Sequence, residues 1–139
     1  ARHMADRLDV PLAIVEKRRL GNEGRVEAVS IIGEVEGRTT LIVDDEVDTG
    51  GTLVATAEIA IKYGAEAVYA SATHAILSGA AGEKIERSPI KEIVFTDTIP
   101  IPPDRLLPKM TVLSVAPLLG EAIRRIHTGQ SVGALFDEY

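Results

Sequence analysis

Residues 39–52 read TTLIVDDEVDTGGT, and this stretch decides the fold. The β-branched and aliphatic run at 39–44, TTLIVD, is too short for a helix and reads as a buried strand. A helix follows from about 52 to 63, because Leu53, Ala57, Ala60 and Ile61 recur at helical spacing and Gly64 closes it. Outward from this unit, residues 11–16 (PLAIVE), 26–32 (VEAVSII), 67–73 (AVYASAT), 91–96 (KEIVFT) and 111–115 (TVLSV) read as strands. Residues 17–25 (KRRLGNEGR) read as a basic loop. Residues 78–87 suggest a short helix with Ser78 as its cap. Residues 99–108 hold four of the seven prolines and connect elements. Residues 117–127 (PLLGEAIRRIH) form a last helix, with Pro117 in its first turn and Leu119, Ile123 and Ile126 as its buried stripe. Buried strands alternating with helices predict an α/β domain, a mostly parallel sheet flanked by helices in a Rossmann-like arrangement.

Composition narrows the function. A chain of 139 residues is one domain's worth, so residues 1–139 are expected to form a single domain. No cysteine is present, which excludes disulfides, thiolate metal sites and a cysteine nucleophile. Aromatics are 4% and tryptophan is absent, which argues against a base-stacking surface. The net charge of −6 argues against nucleic-acid and anionic-membrane partners. No apolar run approaches the ~20 residues of a membrane span. Residues 1–10 lack the apolar core of a signal peptide, so a cytoplasmic location is expected. Met4 and Leu8 share a helix face with no capping residue ahead of them, which predicts a chain starting partway through a longer protein.

In parallel sheets, ligands bind beyond the carboxyl ends of strands, which directs attention to residues 44–52. The strand delivers Asp44 and Asp45 at its end. Asp48, Thr49, Gly50, Gly51 and Thr52 then lead into the helix. A helix N-terminus offers unpaired N–H groups and partial positive charge, which is a phosphate site. Gly50 and Gly51 allow close backbone approach, and Thr49 and Thr52 add hydroxyl donors. The carboxylates suit sugar hydroxyls, or a hydrated Mg2+. A phosphorylated sugar has both features. The competing reading is a plain strand–turn–helix corner with Asp48 or Thr49 as the helix cap. Neither a Walker A loop nor GxGxxG is present.

VDDEVDTGGT resembles the phosphoribosyl pyrophosphate (PRPP) motif of type I phosphoribosyltransferase folds. With LAIVEKRR, ATHAILSGAAGEKI, TDTIP and LSVAPLLGEAIRRIHTGQSVGALF, the chain resembles the ribose-phosphate pyrophosphokinase (PRPP synthetase) family. The resemblance implies a match to the C-terminal half of the family's chain, without the N-terminal domain that carries much of the ATP site. It implies transfer of the diphosphoryl group of Mg-ATP to the anomeric hydroxyl of ribose 5-phosphate, giving PRPP and AMP. Mg2+ is the implied cofactor, ribose 5-phosphate and ATP the implied substrates, and a homo-oligomer the implied full-length form. Lys17 matches the catalytic lysine of the family's flexible loop, and Arg19 a loop arginine that contacts the substrates. Asp44 matches a ribose-contacting carboxylate, with Asp45 beside it. Asp48, Thr49, Gly50, Gly51 and Thr52 match the 5-phosphate cradle. Leu20, Ala80 and Asp97 depart from the family's usual proline, proline and asparagine.

Other readings compete. Lys17, Arg18, Arg19 and Arg25 also suit a solvated basic loop. A non-catalytic module that binds ribose 5-phosphate or PRPP fits the same motifs. An ordinary phosphoribosyltransferase or PRPP-sensing regulator fits less well, given the KRR loop and THAILSG. His3, His74 and His127 are too scattered for a metal pattern, and His74 is weighed between a ligand contact and a structural hydrogen bond.

Overall fold

The computed structural model describes residues 1–19 and 26–138, with side chains described for residues 1–16 and 30–136. Among the described residues, six strands and five α-helices follow in order: α1 Arg2–Leu8, β1 Ile14–Arg19, β2 Val26–Ile32, β3 Thr39–Val47, α2 Gly51–Lys62, β4 Ala67–Ala75, α3 Ala81–Arg87, β5 Ile90–Thr96, β6 Met110–Leu113, α4 Ala116–His127 and α5 Leu135–Glu138. Strands β3, β4, β5 and β6 form a parallel sheet in that spatial order. Helix α2 connects β3 to β4, and α3 connects β4 to β5. The α/β class with a parallel sheet is therefore as expected. The first two strands, β1 and β2, instead make a separate antiparallel hairpin, with Ile14 opposite Ile32 and Lys17 opposite Val29.

The core lies where β4 and β5 meet α2 and α3. Val68, Ile85, Ile90, Ile93 and Phe95 are fully buried there, with Leu53, Ala57 and Ala60 of α2 packed in the same cluster. Alanines at 70, 72 and 75 let the helices approach the central strand closely. Helix α3 is held at its C-terminus by Lys109, which precedes β6. Its ammonium donates to the carbonyls of Ile85 and Glu86, both at 3.1 Å, and of Ser88 at 3.2 Å. The last carbonyls of a helix lack intrahelical donors and carry partial negative charge, so a cation there stabilises. Lys109→Met is expected to lower stability by about 1–3 kcal/mol, read from urea unfolding.

Several boundaries differ from expectation. The strand expected at 11–16 is β1 at 14–19, so Lys17, Arg18 and Arg19 are strand residues in a ladder rather than the start of a loop. Cross-strand pairing with β2 overrides the basic, polar composition that suggested a loop. The remainder of that loop, residues 20–25, lies outside the described residues. Strand β3 runs on to Val47, because pairing with β4 continues through Glu46 opposite His74 and Val47 opposite Ala75. Helix α3 begins at Ala81 with Ala80 as its N-cap, so Ser78 does not cap it. The stripe on α4 is not buried: Leu119, Ile123 and Ile126 are 55%, 68% and 68% exposed. Helical spacing reveals an apolar face but not what covers it. Among the described residues, no helix is long and apolar enough to cross a membrane.

Candidate functional site

The end of β3, the turn after it and the start of α2 line one pocket of about 360 Å3, formed by residues 44–53. Asp44, Asp45, Asp48, Thr49, Gly50, Gly51 and Thr52 all stand in its wall. Pairing with β4 carries the acidic residues to the carboxyl edge of the sheet, where their side chains reach solvent. The backbone N–H of Asp45 donates to Asp44 Oδ1 at 3.0 Å, and that of Glu46 to Asp45 Oδ1 at 2.9 Å. Asp45's carboxyl is held below its ordinary value, first by its hydrogen bond with the Asp44 side chain and then by the backbone N–H groups of Asp45 and Glu46. The charge of His74 on the neighbouring strand acts in the same direction, more weakly. An ionised carboxylate accepts hydrogen bonds only, which suits sugar hydroxyls.

Helix α2 starts without a side-chain cap. Its N-cap is Gly50, at φ 72 and ψ −7, in the left-handed region that glycine enters freely. This corrects the capping alternative for Asp48 and Thr49, because neither side chain bonds the helix start. The Asp48 carboxylate instead accepts a hydrogen bond from the Ser78 hydroxyl. The first helical bond from the turn runs from the Val54 N–H to the Gly50 carbonyl at 3.0 Å. The N–H groups of Gly51, Thr52 and Leu53 therefore have no acceptor within the helix and face its open end. A Cβ added at Gly51 would meet only Thr49 Oγ1, at 3.8 Å. Free donors, partial positive charge and open space at one helix start suit a phosphate group.

Lys17 and Arg19 occupy the last half of β1, and their side chains lie outside the described residues. His74 is tied into a polar cluster: its Nδ1 lies 2.9 Å from Thr98 Oγ1, while Thr96 and Thr98 both donate to the Thr73 carbonyl, at 2.6 and 3.1 Å. With the Thr98 proton turned to Thr73, the imidazole donates through Nδ1. That supports the structural reading of His74. Asp97, where the family usually has asparagine, accepts from the Val115 N–H at 2.8 Å. Its carboxyl is held below the ordinary value by the Ser114 hydroxyl first and Val115 second, so it joins the end of β5 to the start of α4.

Among the described residues, no group of three or more His, Asp or Glu side chains is arranged to hold a metal ion. Asp44 and Asp45 supply two exposed carboxylates. That donor set fits Mg2+ as an ion bound mainly by water and substrate phosphates, the usual habit of this cation. Lys84 escaped the sequence reading. Its ammonium donates to the Thr49 carbonyl at 3.0 Å from 35 positions away, a distance along the chain that no local pattern reports.

Residues 1–137 match the phosphoribosyl synthetase-associated domain family. A ribose-phosphate pyrophosphokinase from Caldanaerobacter subterraneus subsp. tengcongensis is 52% identical over 136 residues, which are 98% of this chain and 43% of that protein. One from Oceanobacillus iheyensis is 51% identical over 137 residues, 99% of this chain and 43% of that protein. The crystal structure of phosphoribosylpyrophosphate synthetase from Mycobacterium smegmatis superposes with a TM-score of 0.84 at 36% identity, covering 92% of this chain and 41% of that one. The chain thus spans less than half the length of these relatives. These matches give a share of length and do not bear out the expected assignment to the C-terminal half. Fold, motif order and identity over nearly all 139 residues agree, and the chain belongs to the phosphoribosyl synthetase-associated domain family.

Proposed function

We propose that this chain is a single phosphoribosyltransferase-like domain carrying the ribose 5-phosphate site of a ribose-phosphate pyrophosphokinase. The observation that carries the reading is the uncapped start of α2 sharing one pocket with Asp44 and Asp45. The 5-phosphate sits at the N–H groups of residues 50–53, and Asp48, Thr49 and Thr52 complete its cradle. Asp44 and Asp45 accept from the ribose hydroxyls. The anomeric oxygen attacks the β-phosphorus of Mg-ATP, the bond from that phosphorus to the α–β bridging oxygen breaks, AMP leaves, and the anomeric proton is lost to solvent or a base.

Such a transfer relies on positioning and cations more than on covalent chemistry. Lys17 and Arg19 neutralise charge on the diphosphoryl oxygens and the leaving AMP, the lysine as a point charge and the arginine as a fork. Asp44 and Asp45 would hold Mg2+ through its water ligands, and the ion would supply further charge neutralisation. A homo-oligomer is the proposed working form. A second reading is a non-catalytic module that binds ribose 5-phosphate or PRPP at the same site.

The test is AMP release from ATP, Mg2+ and inorganic phosphate, with and without ribose 5-phosphate, alongside calorimetric titration of ribose 5-phosphate. AMP formed only with ribose 5-phosphate establishes the synthetase. Binding without AMP formation establishes the module. No binding of ribose 5-phosphate or PRPP refutes both.

A further inference from the structure

The turn that receives the phosphate is not shaped by its own helix. Four contacts from residues 77–84 converge on it. The backbone N–H groups of Leu77 and Ser78 donate to the carbonyls of Val47 and Asp48, both at 3.0 Å. The Ser78 hydroxyl donates to the Asp48 carboxylate. Lys84 donates to the Thr49 carbonyl at 3.0 Å. Ala81 is fully buried directly behind Gly50, where an added Cβ would lie 3.5 Å from the Ala81 carbonyl oxygen. The bracing segment is itself strained, since buried Leu77 sits at φ 50, a region bulky side chains avoid. Such a residue persists where its surroundings over-determine it.

These bonds have a directional consequence. In a trans peptide, the C=O and the following N–H point in opposite directions, and no cis peptide bond is present. The Asp48 and Thr49 carbonyls are turned toward residues 78 and 84. The N–H groups of Thr49 and Gly50 therefore point away from that segment. They extend the free N–H series of α2 into a concave run of donors, the arrangement that binds anions. Ser78 also commits the carboxylate of Asp48, the one negative side chain within residues 48–52, to the bracing side.

We infer that Ser78 and Lys84 are positioning residues for the sugar phosphate, holding the Asp48 and Thr49 carbonyls averted and the N–H groups of Thr49 and Gly50 presented before the ligand arrives. This rests on the reading above that a phosphate sits at the start of α2. Preorganised donors need no rearrangement on binding, and loss of one brace releases a carbonyl to swing toward the anion.

The test is calorimetric titration of the full chain with ribose 5-phosphate and, separately, inorganic phosphate. Ser78→Ala and Lys84→Met are each expected to weaken ribose 5-phosphate binding about tenfold, with Ser78→Thr and Lys84→Arg restoring most of it. Where turnover is measurable, the loss should fall on KM for ribose 5-phosphate and leave kcat little changed. Lys109→Met is the control for general destabilisation: it loosens the far end of α3 and should bind ribose 5-phosphate as the wild type does. Wild-type affinity in both Ser78→Ala and Lys84→Met overturns the inference and leaves the phosphate site standing. An equal loss in Lys109→Met overturns it too, by showing that stability alone governs affinity. A wild-type chain that binds neither probe refutes the phosphate site, and the inference with it.

Discussion

Gly51→Val is expected to lower affinity for ribose 5-phosphate at least a hundredfold while leaving the fold intact. Gly51 is the first residue of α2, and a Cβ there touches nothing of the protein closer than Thr49 Oγ1 at 3.8 Å. Its φ is not in the left-handed region, so valine meets no backbone strain. Folding stability should therefore stay within about 0.5 kcal/mol of the wild type. The space the valine enters is the space proposed for the phosphate. Steric exclusion removes several charge-assisted hydrogen bonds at once, each worth about 1.5–3 kcal/mol. Gly50→Val makes the contrast. At φ 72, with Ala81 behind it, that substitution should damage folding as well as binding. Calorimetric titration and thermal unfolding on both variants separate the two cases. Undiminished binding in Gly51→Val would remove the cradle from the start of α2.

Lys17→Ala is expected to lower turnover about a thousandfold or more, with ribose 5-phosphate binding nearly unchanged. The proposed role of Lys17 is exerted on charge that develops as the diphosphoryl group transfers, and interactions made chiefly in the transition state act on kcat. Removing a single preorganised donor of this kind typically lowers rates about a hundred- to a thousandfold, and loss of a full charge does more. Lys17 lies in β1 opposite Val29. The measurement is AMP formation at saturating ATP and ribose 5-phosphate. Wild-type turnover would return Lys17, Arg18 and Arg19 to the reading of a solvated basic segment.

The site was legible where its chemistry is local. Asp44, Asp45 and the run Asp48 to Thr52 fall within a nine-residue stretch at a strand–helix junction, and the pocket wall is built from residues 44–53. The contacts of Ser78 and Lys84 were not legible. Ser78 precedes a helix and reads as its cap, yet its hydroxyl turns to Asp48, 30 positions back. Lys84 reads as a surface residue of a short helix, and only the packing of α3 beside α2 brings it to Thr49. Similarly, Lys109 gave no local signal of its bonds to three carbonyls more than 20 positions away.

The sequence alone determined the α/β class, the order of β3, α2 and β4, and the residues of the turn that lines the pocket. Each rests on periodicity, glycine placement and helix-end chemistry, which act over a few neighbouring residues. Tertiary structure decided the rest. Ladder pairing made strand residues of Lys17, Arg18 and Arg19 and extended β3 to Val47. Packing left Leu119, Ile123 and Ile126 exposed on α4, and set residues 77–84 against the turn at 48–50. A hydrogen bond or a buried face needs a partner, and a partner distant in the chain is supplied only when the sheet brings the two segments together.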